Sequence, residues 1–407
     1  MRVVQLRRAL TLALLLGAVA LAALATGASA APGLHAELGA ALRGQWLTPA
    51  RTAAIAIDLR TGEVVFAHNA TRPFVPASNE KLPVAWAVLT RLGARTTIAT
   101  EVVGDGTRAG TTWRGDLVLK GYGDPTLSSA DLDALAASVR ARGIRVVQGR
   151  VLGDESFFDA RRDAPGWKRG FLGIESPPLS ALVVDRALGW PRAAPAVLAA
   201  RAFRAALQRR GIVVRRPVDT GVAPVEGIRL AVTASPPLAE IVQTMNTDSD
   251  NFVAEMLLKQ LGAVDGAVGT TAGGARAVLA ELRAAGIPTA GVRLADGSGL
   301  SGLDRLTAAM LVGVIRVAVA DPDVRGPFLR SLAVAGRTGT LAQRYGLPAG
   351  GVRGKTGTTN LACTLSGVLR GTFAFAVLQN GDPVASWAAR GAQDRFVTAL
   401  ARGTTAG

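Results

Sequence analysis

Scarcity limits the chemistry open to this chain. Cys363 is the only cysteine in 407 residues, so neither a Cys-His enzyme nor a cysteine-ligated zinc site is expected. The two histidines are His35 and His68. His68 sits in Phe66-Ala67-His68-Asn69-Ala70, which reads as the end of a hairpin strand. A Ser-His-Asp triad needs a histidine oriented by a third group, and neither histidine has a motif around it. No metal and no cofactor is expected. Lysine is scarce as well. Of 46 Lys plus Arg, five are lysine: Lys81, Lys120, Lys168, Lys259 and Lys355. A surface that needs only positive charge uses arginine here. A buried or cation-flanked lysine can shed its proton and act as a base, which arginine cannot do in practice.

Against that background three strings stand out: Ser78-Asn79-Glu80-Lys81, Ser249-Asp250-Asn251 and Lys355-Thr356-Gly357-Thr358. Together they provide a serine nucleophile, a lysine base, a bridging serine-asparagine pair and a cationic strand, the parts of an active-site serine enzyme that works without histidine. Each alone is weak. Ser249-Asp250-Asn251 reads equally as helix capping, with Asp250 a natural cap. Arg337-Thr338-Gly339-Thr340 nearly duplicates the third string. It runs into Gln343-Arg344-Tyr345-Gly346-Leu347-Pro348, which breaks a strand, whereas Lys355–Thr358 runs into the apolar stretch Leu361–Leu369. The arginine string is therefore expected to be a loop.

Arg2, Arg7 and Arg8, the apolar run from Ala9 to Leu24 and Ala28-Ser29-Ala30 read as a signal peptide over 1–30. The run leaves open retention as an anchor, and no cysteine follows it to carry lipid. An exported protein of the periplasm or cell-wall space is expected. The net charge of +16 falls to about +13 without the three leader arginines. The arginines are dispersed and aromatics make up 5% of the chain, so nucleic acid is not an expected partner. Loose attraction to anionic envelope polymers is.

Thr52–Leu59 reads as a buried strand, Thr61-Gly62 as a turn and Glu63–Ala67 as the hairpin partner. From Asn79 to Leu92 the apolar spacing is helical, which puts Lys81 one turn beyond Ser78 on the same face. Residues 96–231 contain none of the three strings. They alternate strand signals (Asp116–Lys120, Arg145–Leu152) with a helix from Ala130 to Arg142, and are taken as an inserted α/β domain. Helical patterns return over Leu238–Met245, Asn251–Leu261 and within Gly273–Ala285, and a last helix is expected over Ala385–Ala401. The main domain is thus 31–95 with 232–407.

On these residues the chain resembles the D-alanyl-D-alanine carboxypeptidase/endopeptidase family, peptidase family S13, the class C low-molecular-mass penicillin-binding proteins. The resemblance extends to Pro76-Ala77-Ser78, Lys120-Gly121-Tyr122-Gly123-Asp124-Pro125, Pro165-Gly166-Trp167, Ala181-Leu182-Val183-Val184-Asp185-Arg186 and Asp296-Gly297-Ser298-Gly299-Leu300-Ser301. It implies an α/β (α+β) penicillin-binding-protein and β-lactamase-like fold: a five-stranded antiparallel sheet flanked by helices, an all-helical lobe, and the cleft between them. It also implies a D-Ala-D-Ala carboxypeptidase acting on peptidoglycan stem peptides and trapped covalently by β-lactams. Ser78 would attack the carbonyl between the terminal D-alanines. Lys81 would take its proton, kept neutral by Lys355 and burial. Ser249 would relay a proton to the departing D-alanine, and Asn251 would hold Lys81. Amides of Ser78 and Thr358 would form the oxyanion hole, and Lys355, Thr356 and Thr358, in the strand with Gly357, would bind the terminal carboxylate.

Three departures bear on specificity. The insertion, about 136 residues over 96–231, is short for the family. Gly302-Leu303-Asp304 stands where Arg-x-Asn is frequent, and Asn360 has no assigned role. Asp154, in Gly153-Asp154-Glu155-Ser156, is a substrate-binding candidate for the stem-peptide side chain, with a plain loop acid as the favoured reading. A catalytically quiet muropeptide-binding protein and a serine β-lactamase remain the competing functions.

Overall fold

The computed structural model describes residues 32–187 and 193–403. The signal peptide expected over 1–30 lies outside the described residues. No helix among them is long and apolar enough to cross a membrane.

The strands are β1 (Thr52–Asp58), β2 (Val64–His68), β3 (Ala99–Ala109), β4 (Thr112–Gly121), β5 (Val146–Val147), β6 (Val151–Asp154), β7 (Val213–Val214), β8 (Asp219–Thr220), β9 (Ile228–Ala234), β10 (Ala333–Val334), β11 (Val352–Thr358), β12 (Ala362–Leu369) and β13 (Phe373–Asn380). One antiparallel sheet has the order β10-β11-β12-β13-β1-β2. It has six strands rather than five because the two-residue β10 caps the edge of β11 at Arg353 and Gly354.

The first sheet is buried on both faces, which is why β1 is an unbroken apolar run with no alternation of polar residues. Successive side chains still point in opposite directions. Ala53, Ile55 and Ile57, with Ala374, Ala376 and Leu378, join the core of the helical lobe. Ala54 and Ala56, with Phe373, Phe375 and Val377, pack instead against Phe396 and Leu400 of the helix Ser386–Gly403 and Leu38 of Pro32–Ala41. The lobe itself comprises Lys81–Val88, Leu238–Thr247, Asn251–Gly262, Thr271–Ala284 and Ala308–Ala320. The cleft opens where β11 faces this lobe.

The second sheet is built on the long β3–β4 hairpin, with β9 antiparallel on β3 and the short β5 and β6 both parallel to β4. It has its own core, in which Val102, Trp113 and Leu117 meet Leu135 and Phe203 of the helices Ser129–Ala141 and Pro195–Arg209. The single strand expected over Arg145–Leu152 is two. At Gly149 the backbone presses on Gly115 of β4, where a β-carbon would come within 2.2 Å of Gly115 O, and pairing breaks there. Because β9 runs across residue 231, we propose that the inserted unit spans 99–234, a few residues beyond the expected boundary.

Candidate active site

The candidate site is built on two left-handed, non-glycine residues. Ala77 (φ 46°) precedes Ser78, and Ser249 (φ 62°) opens the second string. Such backbone costs of order 1–3 kcal/mol and persists only where the surroundings over-determine it. Ser78 lies in a short 3-10 turn, Ala77–Glu80, and the α-helix starts at Lys81 rather than Asn79. Pro83 is tolerated because its missing N–H falls in the first turn of that helix.

Lys81 is fully buried. Its Nζ lies 3.0 Å from Ser78 Oγ, 2.8 Å from Asn251 Oδ1 and 2.6 Å from the Ser298 carbonyl oxygen. A neutral amine has two hydrogens and one lone pair. If Asn251 and Ser298 take the hydrogens, the lone pair faces the serine hydroxyl. Burial lowers Lys81 to about 8, while the carboxylates of Asp296, Glu255, Asp250 and Glu80 resist the fall. Burial, rather than the neighbouring Lys355, therefore lowers Lys81. Lys355 is itself pushed well below the ordinary lysine value by burial first and by the charge of Lys81 second.

Lys355 Nζ donates to Ser249 Oγ at 2.9 Å and to the Thr356 carbonyl at 2.8 Å, tying the second string to the third. Asp250 caps the helix Asn251–Gly262 by accepting from Val253 N, and it accepts two bonds from Arg186, at 2.7 and 3.0 Å. Asn251 Nδ2 donates to the Glu175 carbonyl at 3.1 Å. On β11 a glycine is obligatory at 357: a β-carbon there would stand 2.8 Å from Ser78 N and 2.4 Å from Thr364 Oγ1. The close approach brings the Ser78 amide beside the strand that carries Thr358.

Ser78, Ser249, Asn251, Thr356, Gly357 and Thr358 share the lining of one cleft of about 510 Å³. Lys81 and Lys355 lie buried beneath it. Outside the two residues covered by β10, β11 pairs with no further strand on its cleft side among the described residues.

Asp154 is not at this site. It ends β6, buried at 1% exposure, and its carboxylate is occupied by the amides of Ser156 and Ala223, each at 2.8 Å. Each oxygen is engaged by a loop amide, and Asp154 does not line the cleft that Ser78 shares. His68 Nε2 contacts the Pro49 carbonyl, remote in role from Ser78, and Cys363 packs in β12 at 1% exposure.

Sequence reasoning gave several groups no role at the site. Thr340, in the string set aside as a loop, does lie in a 3-10 turn, yet its Oγ1 sits 2.8 Å from Thr356 Oγ1 and it lines the cleft. Glu175, Gln343, Arg344 and Arg390 also reach the lining. Beneath Lys81 lie the buried carboxyl groups of Glu80, Glu255, Asp296 and Asp304. In the sequence Glu80 lies inside the first string and Glu255 on the apolar face of a helix, while Asp296 and Asp304 were marked only by the family resemblance and a departure from it, with no role assigned.

Set against known proteins, residues 34–196 and 187–402 match the model of the D-Ala-D-Ala carboxypeptidase 3 (S13) family. A D-alanyl-D-alanine carboxypeptidase of Actinomadura sp. is 30% identical over 90% of this chain and 84% of its own length. Carboxypeptidase DacB of Mycolicibacterium smegmatis is 33% identical over 77% of this chain and 72% of its own. Among solved structures, penicillin binding protein 4 (dacB) of Haemophilus influenzae superposes with a TM-score of 0.79 at 22% identity, covering 90% of this chain and 98% of that one. The same protein complexed with a β-lactam superposes at 0.73.

Proposed function

The chain belongs to the D-Ala-D-Ala carboxypeptidase 3 (S13) family, and from that premise we propose that Ser78, Lys81, Ser249 and Asn251 carry its reaction. It is a serine-type D-Ala-D-Ala carboxypeptidase that acts on peptidoglycan stem peptides and takes up β-lactams. The observation that carries the assignment of residues is the 3.0 Å contact of Lys81 Nζ with Ser78 Oγ, while Asn251 and Ser298 occupy the amine's other directions.

In this reading the stem peptide lies extended along the free edge of β11, which offers main-chain hydrogen bonds to an added strand. Thr356 and Thr358, with the charge of Lys355 behind them, receive the terminal carboxylate. Ser78 Oγ attacks the carbonyl of the penultimate D-alanine as Lys81 takes its proton. The tetrahedral oxyanion is held by the amides of Ser78 and Thr358, each such donor contributing about 3 kcal/mol. The proton then passes through Ser249, which Lys355 holds, to the amine of the departing D-alanine. Water releases the acyl group. The open edge of β11 also suits a cross-linked peptide, so DD-endopeptidase cleavage belongs to the same proposal. We further propose export to the cell wall, with the net charge of +16, or about +13 without the three leader arginines, giving a salt-sensitive attachment to anionic polymers.

Fluorescent penicillin and diacetyl-Lys-D-Ala-D-Ala test the reading together. Covalent label on Ser78 and release of D-alanine are expected, both abolished by Ser78→Ala. Label that survives Ser78→Ala overturns it, and rapid loss of the label with fast drug turnover favours β-lactamase.

A further inference from the structure

The base rests on acids that the reaction above does not use. Charged groups reach Lys81 from every element packed on it: Glu80 from its own turn, Asp250 and Glu255 from the cap and body of Asn251–Gly262, Asp296 from the loop 295–304 with Asp304 behind it, and Lys355 from β11. Glu80, Glu255, Asp296 and Asp304 are all fully buried. Several buried carboxylates cannot all ionise beside one ammonium, because each unpaired charge removed from water costs several kcal/mol.

Hydrogen bonds separate their roles. Asp296 accepts from Trp167 Nε1, Ser298 Oγ, Gly299 N and Ser301 N, which suits a carboxylate. Asp304 Oδ1 takes the amides of Ala295 and Asp296. Neither oxygen of Glu80 has a partner. Glu255 is the one that acts on the base through the chain. Its Oε1 accepts the amides of Gly297 (2.9 Å) and Ser298 (2.8 Å), and the carbonyl of that same Ser298 accepts from Lys81 Nζ at 2.6 Å. Its Oε2 is buried without a partner, where a proton can reside.

Resting on the reading of Lys81 as the base, we propose that Glu255 is a positioning residue: it pins the Gly297–Ser298 peptide so that the amine lone pair is turned on Ser78, and its own proton controls how readily Lys81 gives up its proton. Burial and then Asp296 push Glu255 up to about 8, the same range to which burial brings Lys81, about 8. The apparent constants then belong to the pair. Ionised Glu255 stabilises the lysinium, and neutral Glu255 favours the free amine.

The test is the rate of Ser78 acylation by a fluorescent penicillin, measured with the full chain from acid to alkaline pH. Glu255→Gln keeps an acceptor for both amides but cannot ionise. It should retain the maximal rate and differ little at or below neutral pH, where Glu255 is already protonated; above about pH 8, where ionised Glu255 holds the lysinium in the wild type, the Gln profile should reach its plateau about half a pH unit earlier. Glu255→Ala loses the pin and should acylate at least about tenfold more slowly at every pH, with unchanged affinity in the initial complex. A Gln variant whose profile superimposes on wild type overturns the proposal, as does a folded Ala variant at the wild-type rate. If the Ala variant does not fold, the Gln profile decides. A labelled wild type with an unmoved Gln profile defeats only this inference, whereas an unlabelled wild type defeats the catalytic reading beneath it.

Discussion

Gly357 lies so close to Ser78 that a β-carbon on it would stand 2.8 Å from the serine amide nitrogen. The Ser78 amide and β11, which carries Thr358 one residue along, approach this closely only because residue 357 has no side chain. Gly357→Ala should push the strand off Ser78 and lower acylation about 10²- to 10³-fold, the loss associated with one oxyanion donor. Acylation kinetics with an unchanged far-ultraviolet circular dichroism spectrum check it.

The protonation of Lys81 dictates the pH profile. With the group lowered to about 8 by burial, the neutral amine is the minority form at neutral pH. Acylation should therefore climb about tenfold per unit below that value and level off above it. Lys81→Arg, which cannot release its proton, should lose about 10²- to 10⁴-fold across the whole range. A profile flat from pH 6 to 9 defeats the assignment.

Thr340 is predicted to act on substrate through Thr356. The two hydroxyls are 2.8 Å apart at the cleft, so Thr340→Val leaves Thr356 free to rotate off the carboxylate. KM for diacetyl-Lys-D-Ala-D-Ala should rise about threefold to tenfold with kcat nearly unchanged. A fall in kcat at constant KM would contradict a binding role.

Asp154 should matter to stability alone. Asp154→Asn turns one of its two backbone contacts from attraction into a donor facing a donor, at a cost of about 1–3 kcal/mol. A lower thermal midpoint with unaltered KM is the expected result, and a KM change in the fully folded variant contradicts it.

The parts legible in the sequence were those carried by residue type. Scarce lysine marked Lys81 and Lys355, the Ser-x-x-Lys spacing placed hydroxyl and amine one turn apart, and the apolar runs of Thr52–Leu59 and Leu361–Leu369 announced the strands β1 and β12. Asp250 was recognisable as a cap because capping is a local hydrogen bond. Asp154 misled because its neighbours in sequence say nothing of Ala223, the distant amide that occupies it.

Sequence by itself determined the inventory: which side chains can attack, accept a proton or hold a carboxylate, and which segments must be buried. Tertiary structure alone decided what surrounds them. The left-handed backbone at Ala77 and Ser249 is held by its surroundings, and the meeting of Thr340 with Thr356 and of Glu255, Asp296 and Asp304 under Lys81 joins separate segments of the chain. The reason is physical. A lysine's identity travels with its codon, but its proton affinity depends on the water it has lost and the charges packed around it, and only the folded chain brings those together.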